Sequence, residues 1–259
     1  MEVLKVDNLT KTFGTRSFGG RRAVSDVSFT VSKGETVAFM GPNGAGKSTT
    51  LRMIAGYLEP DAGEAWINGV SILANRTVAQ LSIGYLAEGA PLYLDLQVRD
   101  FLGFLARTHG LEKKQAREAI ARVAEDAKIT DVLNQPIETL SKGYRRRVAL
   151  AGAIVHDPVL LILDEPTDGL DPNQKQAMRA LISRMSKDKA ILISTHQLDE
   201  VEAMCSRCVL IDRGEIKADA TPAELAKRAK SGRLEDAFHD LTHIETVAED
   251  ALLPEGAPA

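Results

Sequence analysis

The run Gly41-Pro42-Asn43-Gly44-Ala45-Gly46-Lys47-Ser48-Thr49 has the residue types and spacing to hold a phosphate chain. It fits the pattern G-x-x-x-x-G-K-[ST]. Glycines let the backbone curl so that successive N–H groups face one anion. A helix starting at the end of the run adds partial positive charge at the same point. Lys47 is expected to reach the β- and γ-phosphates of a nucleotide, and the Ser48 hydroxyl to ligate Mg2+. The bland alternative is a glycine-rich turn that binds nothing. The context argues against it: an apolar run, Thr36 to Met40, precedes the loop, and a helix-like run, Thr50 to Ala55, follows it.

A second stretch supplies acids. Val159-Leu160-Leu161-Ile162-Leu163 is wholly apolar, as a strand buried on both faces of a parallel sheet should be, and it ends in Asp164-Glu165-Pro166-Thr167. Acids at the carboxyl end of such a strand face the crevice where open α/β sheets bind ligands. Asp164 is expected to hold Mg2+, and Glu165 to polarise an attacking water as general base. A solvated loop is the competing reading of an Asp-Glu pair. A phosphate loop needs an acidic partner for its magnesium, which weakens that reading.

Between these two motifs lies Leu140-Ser141-Lys142-Gly143-Tyr144-Arg145-Arg146-Arg147-Val148. With it the chain resembles the nucleotide-binding subunit of an ATP-binding cassette (ABC) transporter. The family's usual L-S-G-G-Q is kept at Leu140, Ser141 and Gly143 and departs at Lys142 and Tyr144. This form is similar to cassettes of bacterial exporters of the drug, polysaccharide and gliding-motility type. The resemblance covers about residues 2–244. It implies that Ser141, Lys142 and Gly143, at a helix N-terminus, close on the ATP held by another cassette. It also implies that Asp171, in Asp168-Gly169-Leu170-Asp171, runs along the dimer seam. His196, delivered by the apolar run Ala190 to Thr195, would sense the γ-phosphate, and Phe13 would stack on adenine. Phe keeps the needed π-face, and a plain core Phe is its competitor. Most cassettes carry glutamine where this chain has Glu88, a position that touches Mg2+ and faces the membrane subunits. Lys142 and Arg145 to Arg147 read as a cationic flank or a solvated helix face rather than a nucleic-acid patch.

The expected fold is α/β. It comprises a P-loop NTPase core with a mostly parallel sheet, an antiparallel β subdomain, and a helical subdomain inserted at about residues 89–157. Within the insert, Phe101, Leu102 and Leu105, and then Ala116, Ile120 and Val123, fall at helical spacing. Gly89 to Asp95 is the connection into it. The family groove beside that connection receives a short helix of the membrane partner, with Leu92 and Tyr93 as candidate contacts and local packing as the alternative. Gly14 to Arg22 reads as a mobile loop. Pro172 opens a helix to about Met185, a hairpin turns at Arg213-Gly214, and a helix from Pro222 runs to about Lys230. Arg233 to Leu241 reads as a terminal helix, and residues 245–259 as a disordered tail.

Composition sets the bounds. The chain has 259 residues, enough for one large α/β domain or two modest ones, and a net charge of −4, unlike a dedicated nucleic-acid binder. No apolar run approaches the ~18 residues of a spanning helix. The chain shows no signal peptide and reads as cytoplasmic. Cys205 and Cys208 form a C-x-x-C without a second ligand pair, so they read as two ordinary half-buried thiols. The resemblance implies ATP and Mg2+ as cofactors and integral membrane permease subunits as partners. A homodimer, or a heterodimer with a related cassette, would sit at the cytoplasmic face of the membrane. The alternative is a soluble cassette ATPase acting on a ribosome, DNA or a protein partner. Such chains carry two cassettes with a charged linker, or long coiled coils, and this one has neither.

Overall fold

The computed structural model describes residues 1–14, 20–89 and 91–242. Part of the expected mobile loop and the whole of the expected tail lie outside the described residues.

Two sheets form the frame. Strands β1 (Glu2–Phe13), β2 (Arg21–Ser32), β4 (Ala62–Ile67) and β5 (Val70–Ser71) make an antiparallel sheet in the order β2-β1-β4-β5. Arg21 and Arg22, expected within the mobile loop, lie instead in β2, where Arg21 pairs with Phe13 and Arg22 with Thr12. The second sheet has the order β10-β9-β3-β8-β7-β6. Its strands are β3 (Thr36–Met40), β6 (Ile83–Leu86), β7 (Leu160–Asp164), β8 (Ala190–Thr195), β9 (Arg207–Asp212) and β10 (Glu215–Ala220). All neighbours pair in parallel except β9 with β10 at the edge. Those two join through Arg213 (φ 50) and Gly214 (φ 82), the left-handed pair that a two-residue hairpin requires.

The apolar strands are buried on both faces, and their alternation divides the core. Val37, Phe39, Leu160, Ile162 and Leu192 pack toward the antiparallel sheet, together with α1 (Lys47–Ile54). Ala38, Met40, Leu161, Leu163 and Ile193 pack toward the helices on the other side. Those helices include α3 (Val98–Thr108), α4 (Lys113–Asp126) and α5 (Lys142–Ile154), which form the inserted helical segment, and α6 (Pro172–Met185). α3 and α5 approach closely because position 152 is glycine: a Cβ there would lie 2.7 Å from the Leu105 side chain. A short helix, α2 (Arg76–Gln80), precedes β6. Toward the end come α7 (Leu198–Met204), α8 (Pro222–Ala226) and α9 (Leu234–Thr242). α8 has the expected proline start, is capped by the Thr221 side chain, and stops at Ala226 rather than near Lys230. Among the described residues no helix is long and apolar enough to cross a membrane.

Parallel register is what positions the chemistry. Asp164 of β7 pairs with Ser194 of β8, and Met40 of β3 pairs with Thr195 of β8. The loops after β3, β7 and β8 therefore leave the sheet side by side at its carboxyl edge.

Candidate nucleotide site

The loop 41–46 folds around backbone constraints. A Cβ on Gly41 would run into the Ile211 carbonyl, and one on Gly46 (φ +110) into the Ala23 carbonyl. Gly44 also has a positive φ, of +80. α1 begins at Lys47 with Gly46 as its cap and no side-chain acceptor on its first turn. Its leading N–H groups are thus left for an anion. Lys47 is only 7% exposed. Its Nζ donates to the carbonyls of Gly41 (2.7 Å) and Pro42 (3.2 Å). The ammonium lies on its own loop here, rather than reaching outward as expected. Burial pushes its pKa below the usual lysine range, against the nearby carboxylates of Glu165, Asp164 and Glu88.

The acidic pair stands opposite. Asp164 is 1% exposed and accepts from the Ser194 hydroxyl. It also lies 3.5 Å from the Ser48 hydroxyl. This hydroxyl and carboxylate are the hard oxygen donors that Mg2+ takes, with the rest of its shell left to water and phosphate. Among the described residues no group of three or more His, Cys, Asp or Glu could cage a metal by itself. Glu165 has φ 47, a left-handed backbone rare for a residue with a side chain. Its N–H donates to the Ser194 hydroxyl at 3.1 Å. Its carboxylate oxygens both lie 3.0 Å from His196 Nδ1.

The remaining candidates divide into two groups. Phe13, at the end of β1, is 47% exposed. With Asn43, Gly44, Lys47, Ser48, Thr49, Glu88 and Glu165 it lines a cleft of about 380 Å3. Arg21, which sequence reasoning left in a loop, joins this cleft and donates to the Gly44 carbonyl at 3.3 Å. The second group lies at the starts of α5 and α6. Ser141 caps α5, accepting the Tyr144 N–H at 3.4 Å. Asp171 caps α6, accepting the Gln174 N–H at 2.9 Å. A Cβ on Gly143 would strike the Gln174 side chain, and one on Gly169 the Lys142 ammonium. The α5 and α6 starts are therefore packed together. Among the described residues no hydrogen bond or ion pair joins Ser141, Lys142, Gly143 or Asp171 to the loop 41–49.

Arg146 corrects the expectation of a solvated helix face. It is 8% exposed, on the face of α5 shared by Gly143 and Leu150. Its guanidinium donates to the carbonyls of Asp164 (2.8 Å), Glu165 (2.5 Å), Pro166 (3.2 Å) and Ala87 (3.2 Å). One planar fork thus ties the ends of β6 and β7 to α5. The helical phase of Arg146 carried the signal; a run of three arginines hid it. Arg146→Met is expected to cost about 2–4 kcal/mol, since buried acceptors lose charged donors. Urea unfolding of the two proteins measures this.

Cys205 and Cys208 are both buried, not half-buried, and both are free. Burial pushes both thiols up to about 12. A raised pKa leaves them protonated and unreactive at neutral pH. A maleimide at neutral pH is expected to label neither in the folded protein and both after denaturation, read by intact mass.

The family model described as ABC transporter matches residues 24–168, which span the loop, the α5 start and the acidic pair. The linearmycin resistance ATP-binding protein LnrL of Bacillus subtilis is 34% identical over 87% of this chain and 71% of its own length. The chain belongs to the ABC transporter family. Its cassette is also 35% identical to the Nod factor export ATP-binding protein I of Rhizobium etli, over 82% of this chain and 67% of that protein. The probable multidrug ABC transporter ATP-binding protein YbhF of Escherichia coli matches at 34% over 88% of this chain, which spans only 40% of YbhF. Among solved structures, the ATP binding subunit of an ABC transporter superposes with a TM-score of 0.82 at 30% identity, covering 92% of this chain and 99% of that one. The cassette MJ0796, a dimer bound to ADP and Pi, shares the fold with a TM-score of 0.77 at 24% identity, over 84% of this chain and 98% of its own.

Proposed function

We propose that this cassette is the ATP-hydrolysing subunit of a membrane exporter, working as a dimer of two copies bound to integral permease subunits at the cytoplasmic face. The observation that carries the reading is the convergence of Glu165, His196 and Asp164 on the loop that holds Lys47 and Ser48.

Each residue has a task. The N–H groups of 44–49 cradle the phosphates, and Lys47 turns from the Gly41 and Pro42 carbonyls onto the β- and γ-oxygens. Phe13 stacks on the base. Ser48 and Asp164 would hold Mg2+, with Glu88 beside them; the ion would neutralise charge developing on the phosphates. Glu165 takes the proton of the attacking water while His196 orients it and senses the γ-phosphate. Ser141, Lys142 and Gly143 of the second copy close the site over the phosphates. That no hydrogen bond joins them to the chain's own loop among the described residues supports that division. ATP is then held by two surfaces, and loss of the γ-phosphate releases them.

A cleft of about 620 Å3 lies beside the connection into the helical segment and includes Tyr57, Tyr85, Leu92, Tyr93 and Phe101. Tyr57 and Tyr93 are 66% and 57% exposed. This aromatic groove suits an apolar helix of a permease loop. The names of the linearmycin and Nod factor relatives favour export as the direction. The reading is tested by extracting tagged Glu165→Gln from native membranes with ATP present. A multi-spanning protein recovered in stoichiometric amount is expected. Recovery solely from the soluble fraction, with ribosomal or DNA-bound partners, would replace the reading.

A further inference from the structure

Behind the reacting groups lies a carboxylate with no part in the scheme above. Glu200, on α7, is 0% exposed. Desolvating an acid this fully is costly unless its oxygens are satisfied. Burial raises its pKa, and the Thr195 hydroxyl opposes that shift.

Its partners are the informative part. One oxygen accepts from the Thr167 hydroxyl, and the other from the Thr195 hydroxyl at 2.8 Å. Thr167 belongs to the turn that follows Glu165, whose carbonyl accepts the Asp168 N–H at 3.2 Å. Thr195 is the last residue of β8, directly before His196. The Thr195 oxygen also accepts the Gln197 N–H at 3.0 Å, so its own proton must point to Glu200. Gln197 is held in turn by Lys175 Nζ at 2.6 Å. Arg179 makes its short contact with Asp199 at 2.6 Å and stands 3.9 Å from Glu200. The two hydroxyls supply the hydrogen bonds of this carboxylate, and the Arg179 guanidinium adds a longer ion pair.

We infer that Glu200 is a positioning residue for hydrolysis: its carboxylate clamps together the two loops that present Glu165 and His196. The inference rests on the reading of Glu165 as the base. The strained backbone of Glu165 (φ 47) fits it, since such a conformation persists only where its surroundings impose it. An ionised carboxylate is the right clamp because it accepts on both oxygens. A glutamine at this site keeps the shape and turns one acceptor into a donor. Its N–H2 then meets a hydroxyl already committed to donating.

The test is steady-state ATP turnover by the whole chain, with urea midpoints measured on the same samples. Glu200→Gln is expected to lower kcat by about 10–100-fold while KM for ATP changes less than about threefold. Thr195→Ser and Thr167→Ser, which keep the hydroxyl, are expected to retain at least about half of kcat, whereas Thr195→Val and Thr167→Val lose most of it. Combining Glu200→Gln with Thr195→Val should cost no more than Glu200→Gln alone, as members of one network do. If Glu200→Gln does not fold, the serine and valine pairs decide. Valine variants as active as their serine counterparts would overturn the inference. So would a Glu200→Gln enzyme with wild-type kcat beside an inactive Glu165→Gln. A Glu165→Gln enzyme with normal turnover would overturn both this inference and the base assignment.

Discussion

Lys47→Ala is expected to weaken ATP binding by about 100-fold or more. The ammonium is fixed at the base of the loop, where it donates to the carbonyls of Gly41 and Pro42. It is already largely stripped of water, so little further desolvation opposes its turn onto a phosphate. Charge-assisted hydrogen bonds to two phosphates, at about 1.5–3 kcal/mol each, account for a loss of that size. Titration with a fluorescent ATP analogue reads the effect. An unchanged dissociation constant would contradict the phosphate-loop assignment.

Glu165→Gln carries the second large effect: turnover lower by about 100–1,000-fold, with ATP affinity within about threefold of wild type. The amide is isosteric, and the bond from the Glu165 N–H to the Ser194 hydroxyl at 3.1 Å does not involve the side chain. Geometry is kept and only the capacity to take a proton is lost. Single-turnover hydrolysis with radiolabelled ATP separates binding from chemistry. Turnover at the wild-type rate would assign the base elsewhere.

How much of this was legible in the sequence depended on whether a residue's role was local. The loop 41–49 announces itself because its glycines, lysine and serine act within one turn of chain. β7 and β8 were readable because a strand buried on both faces is apolar throughout. Pro172 marked the α6 start because a proline at the first helical position acts on adjacent backbone. Arg146 and Glu200 were not readable in the same way. Their partners lie 18 to 59 residues away for Arg146, and 33 residues away at Thr167 for Glu200. Their side chains look like surface charges until the loops they hold are folded around them. The orientation of Lys47 was also beyond the pattern, which encodes what it binds and not where it rests. Packing of Lys142 against Gly169 belongs to the same class: each lies in a readable motif, and their contact does not.

The claim on which the mechanism turns is that ATP joins the loop of one copy to the α5 start of another. Glu165→Gln, expected to keep the γ-phosphate, should report it most directly by sedimentation equilibrium. With Mg2+ and ATP it is expected at twice the 28.0 kDa mass of the chain, and with ADP at the single mass. Adding Ser141→Ala should return the ATP sample toward the single mass. A Glu165→Gln protein that binds ATP and stays at the single mass would contradict the shared site.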